Sequence, residues 1–292
     1  MFWIKLYFIK GLKKLGILSN FNFILTKKLN GKVIKVPFIN GIGLTNFVLE
    51  KDWLDNIIKI FVKENANAFI DVGVNIGQTL LRVKTTNPHI KYLGFEPNST
   101  CTSYSQQLVK VNKFSDCIIQ NCALSTAVEN LVLEKTLIDD SRATLISNLR
   151  PNYFTEKEHV LALDYQSFYL NTKISFIKID VEGAELEVLK GMAKAIIKHQ
   201  PIIVCEVLDS HSDEVLEFTQ KRASLVCNLI KSLNYGIIQL QTSQNNDKLV
   251  SFNKIYEIRI KQWTPQSYNY NDYMFYPKNE ENSVIEKLRE LC

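Results

Sequence analysis

Two short segments of the 292-residue chain combine glycines with acidic residues in patterns that suit ligand binding. The first is AFIDVGVNIG at residues 68–77, where Asp71 precedes Gly73, Asn75 and Gly77. Glycines at the end of a strand allow the backbone to turn sharply and let a ligand approach without a Cβ in its way. The spacing differs from the G-x-G-x-x-G of dinucleotide sites, and Asp71 would repel a pyrophosphate while attracting a cationic ligand.

The next predicted strand ends in FEPN at 95–98. A carboxylate such as Glu96 in this place can accept hydrogen bonds from both ribose hydroxyls of a nucleotide. Asn98 is grouped with it as a cofactor-binding candidate, and Cys122 and Ala123 are expected beside an adenine ring. Singly, each feature also fits a plain strand end; in this order they favour S-adenosylmethionine, whose ammonium and sulfonium groups suit Asp71.

The second segment is KIDVEGAE at 178–185. Alternation along the strand puts Lys178 and Asp180 on one face, and a lysine in a mainly buried sheet is costly unless it is paired. We therefore expect Asp71, Asp180 and Glu206, which ends the following strand, to converge at neighbouring strand ends above Lys178.

Convergent acids beside one lysine leave three interpretations open. They can hold the cationic end of a cofactor, act as general base on a hydroxyl, or bind a divalent metal through oxygen ligands. Asp180, Glu182 and Lys178 are the catalytic candidates, on the substrate side. Glu182 and Glu185 also suit the start of a helix, where the dipole favours acids, and this simpler role weighs equally for Glu185.

The elements that must position these residues follow from apolar periodicity. Short apolar runs alternate with longer segments of helical period, which predicts an α/β fold: a doubly wound, mostly parallel sheet with an antiparallel edge strand. Strands are predicted at 68–72, 91–95, 117–121, 175–180, 201–207, 235–240 and 254–260, with two added strands within 122–163. Helices are predicted at 76–86, 98–113, 184–199 and 212–233.

Residues 1–64 are interpreted as an N-terminal extension, 65–279 as the main domain and 280–292 as a terminal helix. In the extension, two apolar runs flank Asn40–Gly41 and predict a hairpin, and a helix is predicted from Trp53 to Phe61. Lysines interrupt residues 1–18, so no apolar run is long enough to span a bilayer. This segment suits either peripheral contact with an anionic membrane or a helix that docks on the domain or pairs two subunits.

Composition excludes some classes of partner. The net charge is +5 with 22% charged residues, and the basic residues are dispersed, so no nucleic acid is expected. The six cysteines form no C-x-x-C pair and are expected as small buried thiols in a reducing compartment, the cytoplasm.

Together the motifs resemble the FkbM-type methyltransferases over about residues 66–278. The matching segments are D-V-G-x-N-x-G at 71–77, F-E-P-N at 95–98, A-L at 123–124, L-D at 163–164, K-I-D-V-E-G-A-E at 178–185, L-K-G at 189–191 and YMFYPK at 273–278. The resemblance implies a Rossmann-like class I domain, S-adenosylmethionine as cofactor and O-methylation of a hydroxyl on a sugar, glycolipid or related polyol. Asp140 and Arg142, in an irregular insertion, are candidates for contacting such hydroxyls. A non-catalytic S-adenosylmethionine-binding scaffold or membrane-tethered subunit is the alternative, and a nicotinamide dehydrogenase is disfavoured by the turn.

Overall fold

The structure, a computed structural model, describes residues 2–62, 67–136, 141–147, 149–168 and 172–292. These residues form a large mixed sheet with helices on both faces, together with a two-stranded and a three-stranded sheet. The helices are α1 (Phe2–Lys14), α2 (Leu44–Val48), α3 (Trp53–Phe61), α4 (Gln78–Thr86), α5 (Ser99–Asn112), α6 (Glu185–His199), α7 (Leu216–Ser232) and α8 (Glu281–Arg289). The strands are β1 (Phe23–Leu29), β2 (Lys32–Phe38), β3 (Ala68–Val72), β4 (Lys91–Phe95), β5 (Cys117–Gln120), β6 (Ala123–Leu124), β7 (Glu129–Lys135), β8 (Glu156–Leu163), β9 (Ile174–Ile179), β10 (Ile202–Glu206), β11 (Tyr235–Thr242), β12 (Leu249–Ile255) and β13 (Asp272–Pro277).

The large sheet has the order β12-β11-β13-β10-β9-β3-β4-β5. Strands β5, β4, β3, β9 and β10 pair in parallel, and β12 is an antiparallel edge, so the predicted fold class is confirmed. The sequence did not predict that β13 inserts antiparallel between β10 and β11. Residues Tyr273–Tyr276 of β13 are all buried, which suits an interior strand covered on both faces.

Each face of the sheet carries its own apolar core, because neighbouring side chains on a strand alternate between the two faces. On one face Phe69 and Phe176 stack with ring centroids 5.1 Å apart, and α3, α4, α5 and α8 cover them. On the other face Ile70 and Ile177 pack under α6 and α7. The alternation therefore assigns Asp71 and Lys178 to the first face, the one that α3 of the extension covers.

The hairpin predicted around Asn40–Gly41 is right in its first strand, β2, and in its turn, which an antiparallel bridge between Ile39 and Ile42 closes, but wrong in its second strand. Strand β2 pairs instead with β1 across a turn at Asn30–Gly31, and the second predicted strand is helix α2. Helix α2 lets the buried Asn46 donate a 2.6 Å hydrogen bond to the carbonyl oxygen of Ile76, which ties the extension to the glycine turn after β3. A strand at this place would lose that contact.

The strand predicted at 254–260 is also wrong, since β12 ends at Ile255. The tight connection after β11 makes pairing begin at Leu249. Beyond the strand, the segment docks on α7: the Ile258 carbonyl and the Ile260 amide bond the Gln220 side chain at 3.0 and 2.9 Å. The apolar residues that suggested a strand therefore serve helix packing.

All six thiols are free, and they are buried except for the half-buried Cys117 and the exposed Cys292, which departs from the expectation of buried thiols. Among the described residues, no helix combines the length and apolarity that crossing a membrane requires.

A buried ion cluster joins the extension to the main sheet. Arg82 of α4 pairs with Asp52 and Asp55, which form a capping box at the start of α3. The Arg82 guanidinium also donates to the Glu50 carbonyl at 3.0 Å, and Asp55 accepts a hydrogen bond from Asn30 in the hairpin turn. Burial raises the pKa of Asp52 to about 6 in spite of Arg82. One guanidinium thus orients the hairpin, α3 and α4 together.

We predict that Arg82→Ala lowers the free energy of unfolding by about 3–5 kcal/mol, because it leaves the buried Asp55 and the half-buried Asp52 without their counter-ion. Urea titration followed by circular dichroism measures the change. The matched control is Arg259→Ala, whose side chain is 83% exposed beside Glu257 and should leave the stability nearly unchanged. Equal effects of the two substitutions would contradict the structural role given to Arg82.

Candidate active site

A cleft of about 380 Å³ opens at the carboxyl ends of β3, β4, β9 and β10, within the size range of small-molecule sites. Its lining includes four of the predicted cofactor residues, Gly73, Asn75, Glu96 and Ala123, and all three predicted catalytic residues, Lys178, Asp180 and Glu182. The extension contributes a wall, since Thr45, Leu49, Asp52, Trp53 and Leu54 also line the cleft. Sequence analysis had assigned no site residue to the extension.

The turn after β3 takes a left-handed backbone at three residues. The φ angles are 88° at Gly73, 48° at Asn75 and 85° at Gly77. A Cβ on Gly73 would lie 1.8 Å from the Asp180 carbonyl oxygen, and one on Gly77 would lie 2.9 Å from a Leu108 methyl carbon. These glycines therefore make room for the turn after β9 and for α5, and their part in cofactor binding stays a prediction.

Glu96 is the acid that this turn holds most firmly. Its two carboxylate oxygens accept hydrogen bonds from the backbone amides of Asn75 at 2.7 Å and Asn98 at 2.8 Å. Burial nevertheless raises the pKa of Glu96 to about 7. Because each carboxylate oxygen has a second lone pair, the group can still accept hydrogen bonds from a ligand in the cleft.

The other predicted cofactor residues do not line the cleft. The Asn98 side chain caps α5 by accepting from the amides of Thr100 and Cys101, and Cys122 is buried in the core beneath α6. Gly77 lies behind the turn, and Asp71 lies in the sheet below it. Of the predicted adenine neighbours, only Ala123 faces the cleft.

Asp71 and Lys178 lie side by side at matched positions of β3 and β9. Asp71 is fully buried, and its Oδ2 accepts a hydrogen bond from the Tyr92 hydroxyl, while its Oδ1 has no hydrogen-bond partner. Burial raises the pKa of Asp71 to about 7, against the opposing effects of Lys178 and Tyr92. Burial alone would lower the pKa of Lys178, but Asp180 and Asp71 outweigh it and raise the pKa above its usual value.

Asp180 lies above this pair, and Lys178 donates to its Oδ2 at 2.7 Å. Burial would raise the pKa of Asp180, yet Lys178 and a hydrogen bond from Glu206 together lower it. Burial and the neighbouring Asp180 raise the pKa of Glu206 well above its usual value. Burial also raises the pKa of Asp272, the register partner of Glu206 on β13, to about 7. These opposite shifts favour the ionised form of Asp180 and the protonated form of Glu206.

Glu182 completes the substrate-side group. Its carboxylate pairs with Arg150, and its backbone, with a φ of 52°, accepts a 2.6 Å hydrogen bond from the Thr144 hydroxyl. Ligand oxygens of Asp180, Glu182 and Glu206 lie within 4.8 Å of one another, which is close enough for a shared cation. Glu185 does not join them, because its carboxylate accepts a 2.7 Å hydrogen bond from the Gly183 amide at the start of α6.

The irregular insertion reaches the cleft. Ser141, Ala143 and Leu145 line the cleft, whereas the Arg142 guanidinium lies 4.9 Å from the centre of the Tyr153 ring. Asp140 lies outside the described residues.

Several residues in or next to the cleft were not predicted from the sequence. Arg150 and Asp272 belong to segments without a recognisable motif, and Asp272 reaches the acids only because β13 inserts beside β10. Asn246 and Tyr268, also in the lining, come from the connections on either side of β12. The sequence signal available for this part of the cleft is the aromatic-rich stretch at 263–276, WTPQSYNYNDYMFY.

Comparison with known families places the Methyltransferase FkbM domain on residues 71–239, more than half of the chain. Among curated proteins, Methyltransferase 1 of Beauveria bassiana is 24% identical, with 57% of this chain and 75% of that protein covered. Methyltransferase sdnD of Sordaria araneosa is 27% identical, with 50% and 68% covered.

Solved structures with a similar fold include the FkbM methyltransferase from Methylobacillus flagellatus KT. It is 17% identical with a TM-score of 0.46, and 72% of this chain aligns with only 44% of that chain. An O-methyltransferase from Bacillus cereus, solved in complex with SAH, is 11% identical with a TM-score of 0.42, and the alignment covers 76% of this chain and 77% of that one.

We predict that Gly73→Ala destabilises the protein by about 1–3 kcal/mol more than Gly31→Ala, because the new methyl group would collide with the Asp180 carbonyl. Gly31, with a φ of 75°, has no heavy atom within 4 Å of its Cβ position, so its variant measures backbone strain alone, about 1–2 kcal/mol. Chemical denaturation of both variants tests this difference. Similar losses would mean that the contact between the two turns carries no energy.

Proposed function

The chain belongs to the FkbM methyltransferase family, and from this membership we propose that it transfers a methyl group from S-adenosylmethionine to a hydroxyl on a sugar, glycolipid or related polyol. The observation that carries the proposal is that one cleft holds both the Glu96 carboxylate, fixed just after β4, and the group of acids after β9. The first suits the ribose of the cofactor and the second suits a hydroxyl acceptor.

The residues that line the cleft suit the groups of S-adenosylmethionine. Glu96, fixed by two backbone amides, is proposed to accept hydrogen bonds from the ribose hydroxyls, and Ala123 to face the adenine. The acids around Lys178 make this end of the cleft favourable for the positive charges of the cofactor. Gly73 and Asn75 shape the turn, while Asp71, Gly77, Asn98 and Cys122 act on the site only through the structure beneath it.

When bound, S-adenosylmethionine supplies a methyl group that leaves its sulfur in an in-line displacement. Asp180 is proposed to accept the proton of the attacking hydroxyl, since Lys178 keeps its carboxylate ionised. Glu182, oriented by Arg150, is proposed to hold the acceptor by accepting hydrogen bonds from its hydroxyl groups. The acceptor oxygen thus forms the new bond to carbon while its proton moves to Asp180.

We also propose a division of the chain into functional segments and a place in the cell. Residues 65–279 would act as the methyltransferase unit, with 1–64 as an extension that walls the cleft and 280–292 as a terminal helix. The free thiols support a cytoplasmic location, and the lysines and apolar residues of 1–18 support peripheral contact with a membrane.

We expect S-adenosylhomocysteine, but not NAD, to raise the melting temperature, and Glu96→Gln to weaken binding measured by calorimetry. The Glu96 carboxylate must be ionised to accept two hydroxyl hydrogen bonds, and its pKa is raised to about 7. Affinity should therefore rise about tenfold from pH 6 to pH 8, a slope that Glu96→Gln reduces. Glu257→Gln, at an exposed carboxylate, is the matched control. Stabilisation by NAD alone would overturn the cofactor assignment.

We expect Asp180→Asn to bind S-adenosylhomocysteine about as well as the parent protein but to transfer methyl groups about 10²–10⁴-fold more slowly, because the proton acceptor is lost. Labelled S-adenosylmethionine with a panel of sugars and glycolipids provides the assay.

Two outcomes separate the alternatives. Cofactor binding without transfer to any acceptor would favour a non-catalytic scaffold. Transfer that EDTA abolishes and Mg²⁺ restores would assign Asp180, Glu182 and Glu206 to a divalent cation.

A further inference from the structure

Helix α1 is attached to the protein by one of its faces. Leu6 is 5% exposed and Ile9 is fully buried in the core that contains α3. The Phe2 ring stacks on Phe47 of α2 with centroids 5.0 Å apart. These contacts account for one apolar stripe of the helix, at the spacing i, i+4, i+7.

The opposite face of α1 is equally apolar but open to solvent. Its exposed fractions are 65% at Trp3, 74% at Ile4, 71% at Tyr7 and 64% at Phe8, and Leu15 just beyond the helix is 72% exposed. A helix that is apolar all round is normally buried on every side. This outer face, defined as Trp3, Ile4, Tyr7, Phe8 and Leu15, therefore lacks a covering layer in the described structure.

Charge indicates what that layer is. Residues 1–49 contain eight lysines and no aspartate or glutamate, whereas the rest of the chain has a net charge of −3. Lys10, Lys13 and Lys14 are exposed on the C-terminal half of α1, and Lys10 and Lys14 flank the outer face. A second copy of the chain would bring the same positive charge to this face, which disfavours self-association.

Aromatic residues mixed with lysines on an exposed helix are typical of surfaces that lie in the interface of a bilayer. The aromatic and aliphatic side chains enter the boundary between headgroups and acyl chains, and the lysines contact anionic headgroups. We propose that the outer face of α1 docks on an anionic lipid surface. The inner face holds the helix on the protein, so docking needs no rearrangement of the core.

The docked helix lies next to the cleft. Phe47, on which Phe2 stacks, is two residues from Thr45 in the cleft lining. Membrane contact through α1 would therefore bring the wall that the extension contributes close to the lipid surface.

The test uses the full chain and vesicle flotation, which requires no catalysis and so is independent of the proposed methyl transfer. We expect binding to vesicles of phosphatidylcholine with phosphatidylserine, weaker binding to phosphatidylcholine alone, and loss of binding in high salt. Ile4→Glu with Phe8→Glu should abolish binding, and Lys10→Gln with Lys13→Gln and Lys14→Gln should weaken it about a hundredfold. The control is Ile197→Glu with Tyr256→Glu, at apolar residues 56% and 77% exposed elsewhere, which should bind as the parent does.

Since all substituted side chains are exposed, the variants should keep the melting temperature of the parent protein. A loss of vesicle binding can then be distinguished from a loss of folded structure. Failure of the parent chain to bind anionic vesicles would overturn the proposal, as would equal binding by the Ile4→Glu/Phe8→Glu variant. A dimer in solution that this variant dissociates, without vesicle binding, would instead assign the outer face to contact between two copies and likewise overturn it.

Discussion

The buried ammonium group of Lys178 is the charge on which the site depends. It lies in the sheet with Asp71 beside it and Asp180 above it, and both carboxylates would be costly to bury without it. Lys178 does not neutralise every neighbour. Burial and the neighbouring Asp180 raise the pKa values of Glu206 and Asp272, while Glu182 of the same acid group pairs with Arg150.

This arrangement constrains the sheet as well as the chemistry. Asp71 and Lys178 meet only because β3 and β9 pair in this register, and a slip of one residue would turn one of them to the opposite, fully apolar face. The same face is covered by α3 of the extension, whose own buried acids are held by Arg82. Two buried cations thus organise neighbouring layers of the molecule: Lys178 within the sheet and Arg82 between the sheet's helices and the extension.

The site residues that could be predicted from the sequence are those at the carboxyl ends of the parallel strands. Asp180 and Glu206 converge because the carboxyl ends of adjacent strands share one edge of the sheet, and Glu96 follows from the next strand on the other side. Contacts that depend on long connections could not be predicted. Asp272 needs the insertion of β13, and Trp53 needs the extension to fold back over the sheet. The packing of Gly73 and Gly77 could not be predicted either, because their neighbours, the Asp180 carbonyl and Leu108, are distant in sequence.

The cleft is assembled from two sources. The glycine turn, Glu96 and the acids after β9 lie inside the segment that matches the family, residues 71–239, whereas Thr45 and Trp53 precede it and Tyr268 and Asp272 follow it. Substitutions in these two end segments can therefore reshape one side of the cleft without touching the glycine turn or Glu96. The segments outside the family match are thus where the shape of the cleft can change at the least cost to the turn.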